Sequence, residues 1–133
     1  MPIEVEMLFR ILLAMVLGGI VGYERERSGK AAGLRTNTLI CVGSCLITLV
    51  SIYGFSETDI SRIAAGIVTG VGFLGAGAIL RQSEGHVEGL TTAATIWAVA
   101  GIGLAVGAGM YFLSAVGTGV ILLILLIDRV KFR

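Results

Sequence analysis

Thr36–Gly54, TNTLICVGSCLITLVSIYG, runs from end to end without a charged residue. A bilayer core of roughly 30 Å needs about 20 helical residues at 1.5 Å rise each, within a working range of about 17–25. The stretch has that length and is continuously apolar rather than alternating, which argues for a spanning helix and against a barrel strand. Four other runs share its character: Met7–Tyr23, Ile63–Leu80, Leu90–Val106 and Met110–Ile127. The sequence therefore predicts an all-α, polytopic membrane bundle of five transmembrane helices, with residues 1–133 as a single membrane domain. The one proline, Pro2, precedes every span, so no helix is expected to kink at proline. The turn Gly107-Ala108-Gly109 is short enough to make the fourth and fifth helices an antiparallel pair.

Composition points the same way. Hydrophobic residues make up 56% of the chain and charged residues 14%, against about 25% charge in a soluble domain. The charges gather at Glu24–Lys30, Glu57–Arg62, Arg81–Glu88 and Asp128–Arg133, between the apolar runs. A formal net charge of +1 offers no basic face for nucleic acid, and the first partner expected is the lipid bilayer. The first span does not read as a cleaved signal peptide, because Glu4 and Glu6 flank it and no A-x-A site follows.

Lysine and arginine placement sets the expected orientation. With the N-terminus outside, Arg25, Arg27, Lys30, Arg35, Arg81, Arg129, Lys131 and Arg133 all fall inside, leaving Arg10 and Arg62 outside. Arg10, close to its helix end, is expected to snorkel to the interface. The arrangement is N-out, C-in.

The chain also aligns with itself at an offset of 56. Arg25-x3-Gly29-x3-Gly33-Leu34-x-Thr36 matches Arg81-x3-Gly85-x3-Gly89-Leu90-x-Thr92, and Gly19/Gly75 and Ile40/Ile96 extend the match. Helices one and two thus read as a parallel pseudo-repeat of helices three and four, with both loops on the cytoplasmic side. In each loop, one glycine permits the turn and the next breaks the chain before the new helix. The threonines, with Asn37 or Thr91 beside them, can offer oxygen to free N–H groups there. One reading makes this ordinary hairpin construction. The sharper one has the two loops meet as a cytoplasmic polar site of Glu24, Arg25, Arg35, Thr36, Asn37, Arg81, Thr91 and Thr92, where helix N-termini favour an anion or acidic group. Glu24, Arg25, Glu26 and Arg27 are expected to form a salt-bridged cluster reaching Arg35 or Arg81.

Inside the bilayer the chain relies on glycine. Gly18-x3-Gly22, Gly66-x3-Gly70 and Gly103-x3-Gly107 are small-residue contact motifs. Gly66, Gly70 and Gly77 share one face of the third helix while Gly75 lies elsewhere, so this helix is expected to be central. Trp97, mid-span, is expected to pack inside the bundle. The predicted spans hold no acid and no histidine, which argues against a proton relay. Cys41 and Cys45, one turn apart, read as packing residues rather than metal ligands, and the only histidine, His86, belongs to a loop. No metal site, cofactor or catalytic residue is expected: a Ser–His–Asp set, a ligand cluster and a P-loop are all missing.

Taken in order, LGGIVGYERE (17–26), AGLRTN (32–37), GVGFLGAGAIL (70–80), GLTTAATIW (89–97) and GLAVGAGMY (103–111) resemble the MgtC/SapB family over nearly the whole chain. The family motif positions that map here are Glu24, Arg25, Gly33, Arg35, Thr36, Asn37, Gly75, Gly77, Arg81, Gly89, Thr91, Thr92 and Trp97. The resemblance implies a bacterial inner-membrane protein with five spans and a cytoplasmic C-terminus, linked to growth in low magnesium and to virulence. It implies a regulator acting on the F-type ATP synthase more than a transporter. Longer members continue into a soluble cytoplasmic domain, whereas this sequence stops at Arg133, as a short or trimmed member would. The expected activity is therefore regulatory, through helix–helix contacts with a membrane protein partner or another copy, a dimer being favoured. The alternative is a subunit of a small-ion transporter or channel for magnesium or another cation, working as an oligomer.

Overall fold

The computed structural model describes residues 2–55, 59–81 and 87–131. They form five helices: α1 (Ile3–Arg27), α2 (Leu34–Tyr53), α3 (Ile60–Arg81), α4 (Val87–Gly107) and α5 (Tyr111–Lys131). Among the described residues there is no strand. Four helices are long and apolar enough to cross a membrane, and the apolar part of the fifth is Tyr111–Ile127, at the short end of the spanning range.

Each helix runs beyond its apolar run into the flanking charges. Glu4 and Glu6 occupy the first turn of α1 and Arg25 and Arg27 the last, the signs the helix dipole favours. Two helices end in the same way. At the end of α1, Gly29 takes φ +72° while Lys30 N–H donates to the Arg25 carbonyl and Gly29 N–H to that of Glu26. After α4, Gly109 takes φ +82°, with Met110 N–H on the Ala105 carbonyl and Gly109 N–H on that of Val106. Both are Schellman turns, in which a left-handed glycine lets the chain reverse while the last carbonyls are satisfied.

Glycine contacts fix the register. A Cβ at Gly22 would lie 2.9 Å from Leu34 Cα, and one at Gly18 2.5 Å from Cys41 Cβ, so α1 and α2 are antiparallel. A Cβ at Gly103 would collide with the Cys41 carbonyl oxygen, and one at Gly107 would lie 2.8 Å from Thr48 Cβ. Contacts that advance together along both chains make α2 and α4 parallel. Ser44 Oγ donates to the Ala100 carbonyl across this interface at 2.7 Å. Two of the three Gly-x3-Gly motifs thus bring backbones together as small-residue motifs do, and the buried Cys41 and Cys45 lie packed between them.

The third motif differs. A Cβ at Gly66, Gly70 or Gly77 meets nothing within 4 Å. The central helix is α4, which touches all four others; 56% of its apolar window is buried against 17% for α3. The expectation of a central third helix is corrected: α3 flanks the bundle, lying against α4 and more loosely against α2. Trp97 is corrected too. It is 54% exposed, beside Ile67 and Val68 on the α3 side of α4, because the inward face of α4 is taken by Ile96, Val99, Ala100 and Ile102. The main core joins Ala14, Leu17 and Val21 of α1 to Cys41, Cys45 and Leu49 of α2, Val99, Ile102 and Val106 of α4, and Leu125 of α5.

Candidate functional site

One end of the bundle holds the close of α1 and the starts of α2 and α4. There the chain puts charge where burial makes it expensive. Arg25 is 1% exposed. Its Nε donates to Glu24 Oε1 at 2.9 Å, and Glu24 Oε2 accepts from Ser28 Oγ at 3.0 Å. Among the described residues, both terminal guanidinium nitrogens of Arg25 are buried without a hydrogen-bond partner. Asn37, fully buried on the first turn of α2, donates from Nδ2 to the Ala32 and Gly33 carbonyls at 3.0 and 2.9 Å, and its Oδ1 is likewise unpartnered. Thr92 is buried near the start of α4. Buried polar atoms are nearly always bonded, so unmet donors and an unmet acceptor at one end mark a place able to take a polar guest.

Several sequence expectations fall differently here. Glu24, Arg25, Asn37 and Thr92 are gathered into the interior, but Arg35 and Thr36 are exposed and Thr91 is half-buried. The Arg81 side chain lies outside the described residues, as do His86 and Gly85. The helix start is not capped by a threonine or by the Asn37 oxygen. Glu26 does it: its Oε1 accepts the Leu34 N–H at 2.9 Å, and its carboxylate fills the space where a Cβ on Gly33 would be. Gly33 precedes α2 as expected, but Gly89 lies within α4, which begins at Val87. Thr91 and Thr92 therefore belong to the helix, and the Thr91 carbonyl accepts from Thr95 Oγ1 at 2.8 Å. The expected charge cluster is also smaller. Among the described residues Arg25 pairs with Glu24, while Arg27 reaches out to the Tyr23 hydroxyl at 3.1 Å.

The other end contains a site that sequence reading missed. Arg10 does not snorkel; it is 8% exposed and turned inward. It pairs with Glu6 at 2.5 Å, donates from Nη1 to the Gly107 carbonyl at 2.7 Å and from Nε to the Tyr111 hydroxyl at 3.0 Å. The Tyr111 hydroxyl donates in turn to Glu6 at 3.1 Å, and the guanidinium lies 6.0 Å from the Tyr53 ring centroid. One side chain thereby ties α1 to the ends of α2 and α4 and the start of α5. The available signal was Glu6 and Arg10 at i, i+4 spacing.

Among the described residues no group of three or more histidine, cysteine or acidic side chains could hold a metal. The hydroxyls of Ser44, Thr48, Thr95 and Thr118 all donate to backbone carbonyls. Among the described residues, the buried charged side chains gather at the two ends of the bundle, around Arg10 and around Arg25.

Comparison with known proteins places the chain. The MgtC family model matches residues 11–131. The Escherichia coli (strain K12) protein named "Putative magnesium transporter YhiD" is 48% identical over 96% of this chain and 63% of its own length. Protein SapB of Bacillus subtilis (strain 168) is 45% identical over 82% of this chain and 50% of its own. Protein MgtC of Brucella abortus (strain 2308) is 45% identical over 79% and 44%. The chain thus spans 44–63% of the length of these relatives, and no solved structure matches it. The chain belongs to the MgtC family.

Proposed function

We propose that this chain is a bacterial inner-membrane regulatory protein serving adaptation to scarce magnesium, with its N-terminus outside and the Arg25 end in the cytoplasm. It acts through helix–helix contacts with a membrane protein partner, for which the F-type ATP synthase is the first candidate, and it contributes to virulence through that adaptation. The observation carrying this reading is the fully buried guanidinium of Arg25 at the polar end of the bundle. Magnesium is taken up by carboxylates, carbonyls and its own waters, and the carboxylate at this end, Glu24, is already engaged by Arg25 and Ser28. The printed name of the E. coli relative ties that protein to magnesium, which supports a role for this chain in magnesium physiology.

The reading is tested in a strain deleted for its own family member and starved of magnesium. Expression of the chain is expected to restore growth, and Asn37→Ala is expected to abolish the rescue while the protein remains folded in the membrane. Proteoliposomes loaded with a magnesium dye are expected to show no flux above empty vesicles. Flux that Asn37→Ala removes would overturn the regulatory reading in favour of an oligomeric ion transporter or channel, which the printed name of the E. coli relative favours.

A further inference from the structure

We propose that the chain forms a two-fold dimer through the face made by α1, α2 and α3, with α1 of each copy seated in the α2–α3 groove of the other. The proposal goes beyond the regulatory role and does not depend on magnesium.

The groove holds about 480 Å³ between Leu39, Gly43 and Ile47 of α2 and Ile63, Gly66 and Gly70 of α3. The 56-residue correspondence says what shape it has. Ser44 bonds to Ala100, its own counterpart, as positions beside a pseudo-two-fold axis do. On the far side of that axis, α5 lies against α1 and α4. It meets Glu6 and Arg10 through Tyr111 and borders Thr95 on α4. Shifted by 56, those three positions become Arg62, Gly66 and Leu39, all of which line the groove. The other α4 positions bordering α5, Leu90, Thr91 and Ala94, shift to Leu34, Arg35 and Thr38 in the adjoining α1–α2 groove. The counterpart of the seat of α5 is therefore the α2 face centred on Leu39, where the two grooves meet.

Charge selects the occupant. Arg62, exposed in the third position of α3, stands where the seat of α5 has Glu6. A matching helix brings a carboxylate at that level, fixed in register with the apolar residues below it, whereas a lipid brings a headgroup phosphate that no charge swap in the protein would restore. Glu4, exposed in the second position of α1, begins a stripe with Leu8, Leu12 and Met15, all exposed and spaced to share one face. Met15 borders Leu39 in a second groove between α1 and α2. Leu39, 71% exposed, therefore lies mid-face with α1 and α3 on either side. Both flanking helices start from the same end. A two-fold axis near Leu39 along the bundle then sets α1 of one copy across α3 of the other, twice, pairing Glu4 with Arg62 in a closed isologous interface.

Association is measured in liposomes by energy transfer between labelled copies over a range of protein-to-lipid ratios. The intact chain is expected to dimerise. Gly70→Leu has room within one copy, so it is expected to keep helix content and thermal midpoint while weakening association on the order of tenfold. Arg62→Glu is expected to weaken it about threefold, with Glu4→Arg restoring it in the double variant. Leu39→Cys is expected to cross-link between copies under mild oxidation, and Phe112→Cys, 83% exposed on α5, is not. A monomer at every ratio, association indifferent to Gly70→Leu, no restoration by the double charge swap, or equal cross-linking at Phe112 would each overturn the dimer. A monomeric chain that still rescues growth would remove the dimer and leave the regulatory role standing; a dimer that fails to rescue would do the reverse.

Discussion

Helix α1 buries two arginines, and the surroundings treat them in opposite ways. Arg10 has an acceptor for each of its three nitrogens: Tyr111 for Nε, Gly107 for Nη1, Glu6 for Nη2. Arg25 is more deeply buried, yet only its Nε is bonded. A buried guanidinium with every donor met holds elements together, because removing it strands its partners. One with donors left over costs stability and suits a place kept for contact or a guest. Ser51 Oγ, buried near the end of α2, also has no partner among the described residues, but the Arg10 guanidinium is fully met. The Arg10 end therefore reads as the closure of the bundle, and the Arg25 end, with an unmet charged group, as its working face.

Arg10→Ala is the sharpest way to test that contrast. It leaves Glu6 without its ion pair and the Gly107 carbonyl without its donor, and is expected to cost about 3 kcal/mol, read from reversible unfolding in mixed micelles. A loss below about 1 kcal/mol would show that Arg10 does not close the bundle.

A second comparison replaces each ion pair by neutral groups of similar volume. Glu6→Gln with Arg10→Met strands the Gly107 carbonyl and leaves Tyr111 only its bond to residue 6, and is expected to lose about 2 kcal/mol. Glu24→Gln with Arg25→Met removes two donors that had no partner, so stability should stay within about 1 kcal/mol of the intact chain. The same double variant at the Arg25 end is expected to lose growth rescue under magnesium limitation. If both doubles unfold equally early, the distinction between the two arginines fails.

Much of the fold was legible because spanning helices announce themselves by length and unbroken apolarity, as Thr36–Gly54 does. What was not legible depended on partners distant in sequence. Gly66-x3-Gly70 and Gly103-x3-Gly107 have the same pattern, but only the second has α2 against it. Spacing says that a backbone can approach closely and is silent on whether one does within the same chain. Arg10 read as a snorkelling residue because two of its acceptors, Gly107 and Tyr111, lie about a hundred positions away. The polar end was half legible: Glu24, Arg25, Asn37 and Thr92 do turn inward. The cap on α2 comes from Glu26, eight residues back, a reach that local capping rules, which look within a turn, do not cover.

The smallest expected effect separates the ends by a single hydroxyl each. Tyr111→Phe removes the acceptor of Arg10 Nε and one donor to Glu6, while its ring keeps the edge contact with Phe9 at 5.4 Å. Because Nε is then left unmet in a buried site, the loss is expected to be about 1 kcal/mol. Ser28→Ala at the other end removes one donor from Glu24, whose Oε1 stays on Arg25. Ser28 is half-buried, water can replace its hydroxyl, and the loss is expected to be no more than about 0.5 kcal/mol. Measured side by side, a Ser28→Ala loss as large as that of Tyr111→Phe would mean that the Arg25 end is as tightly built as the Arg10 end, and that its unmet donors are no sign of a working face.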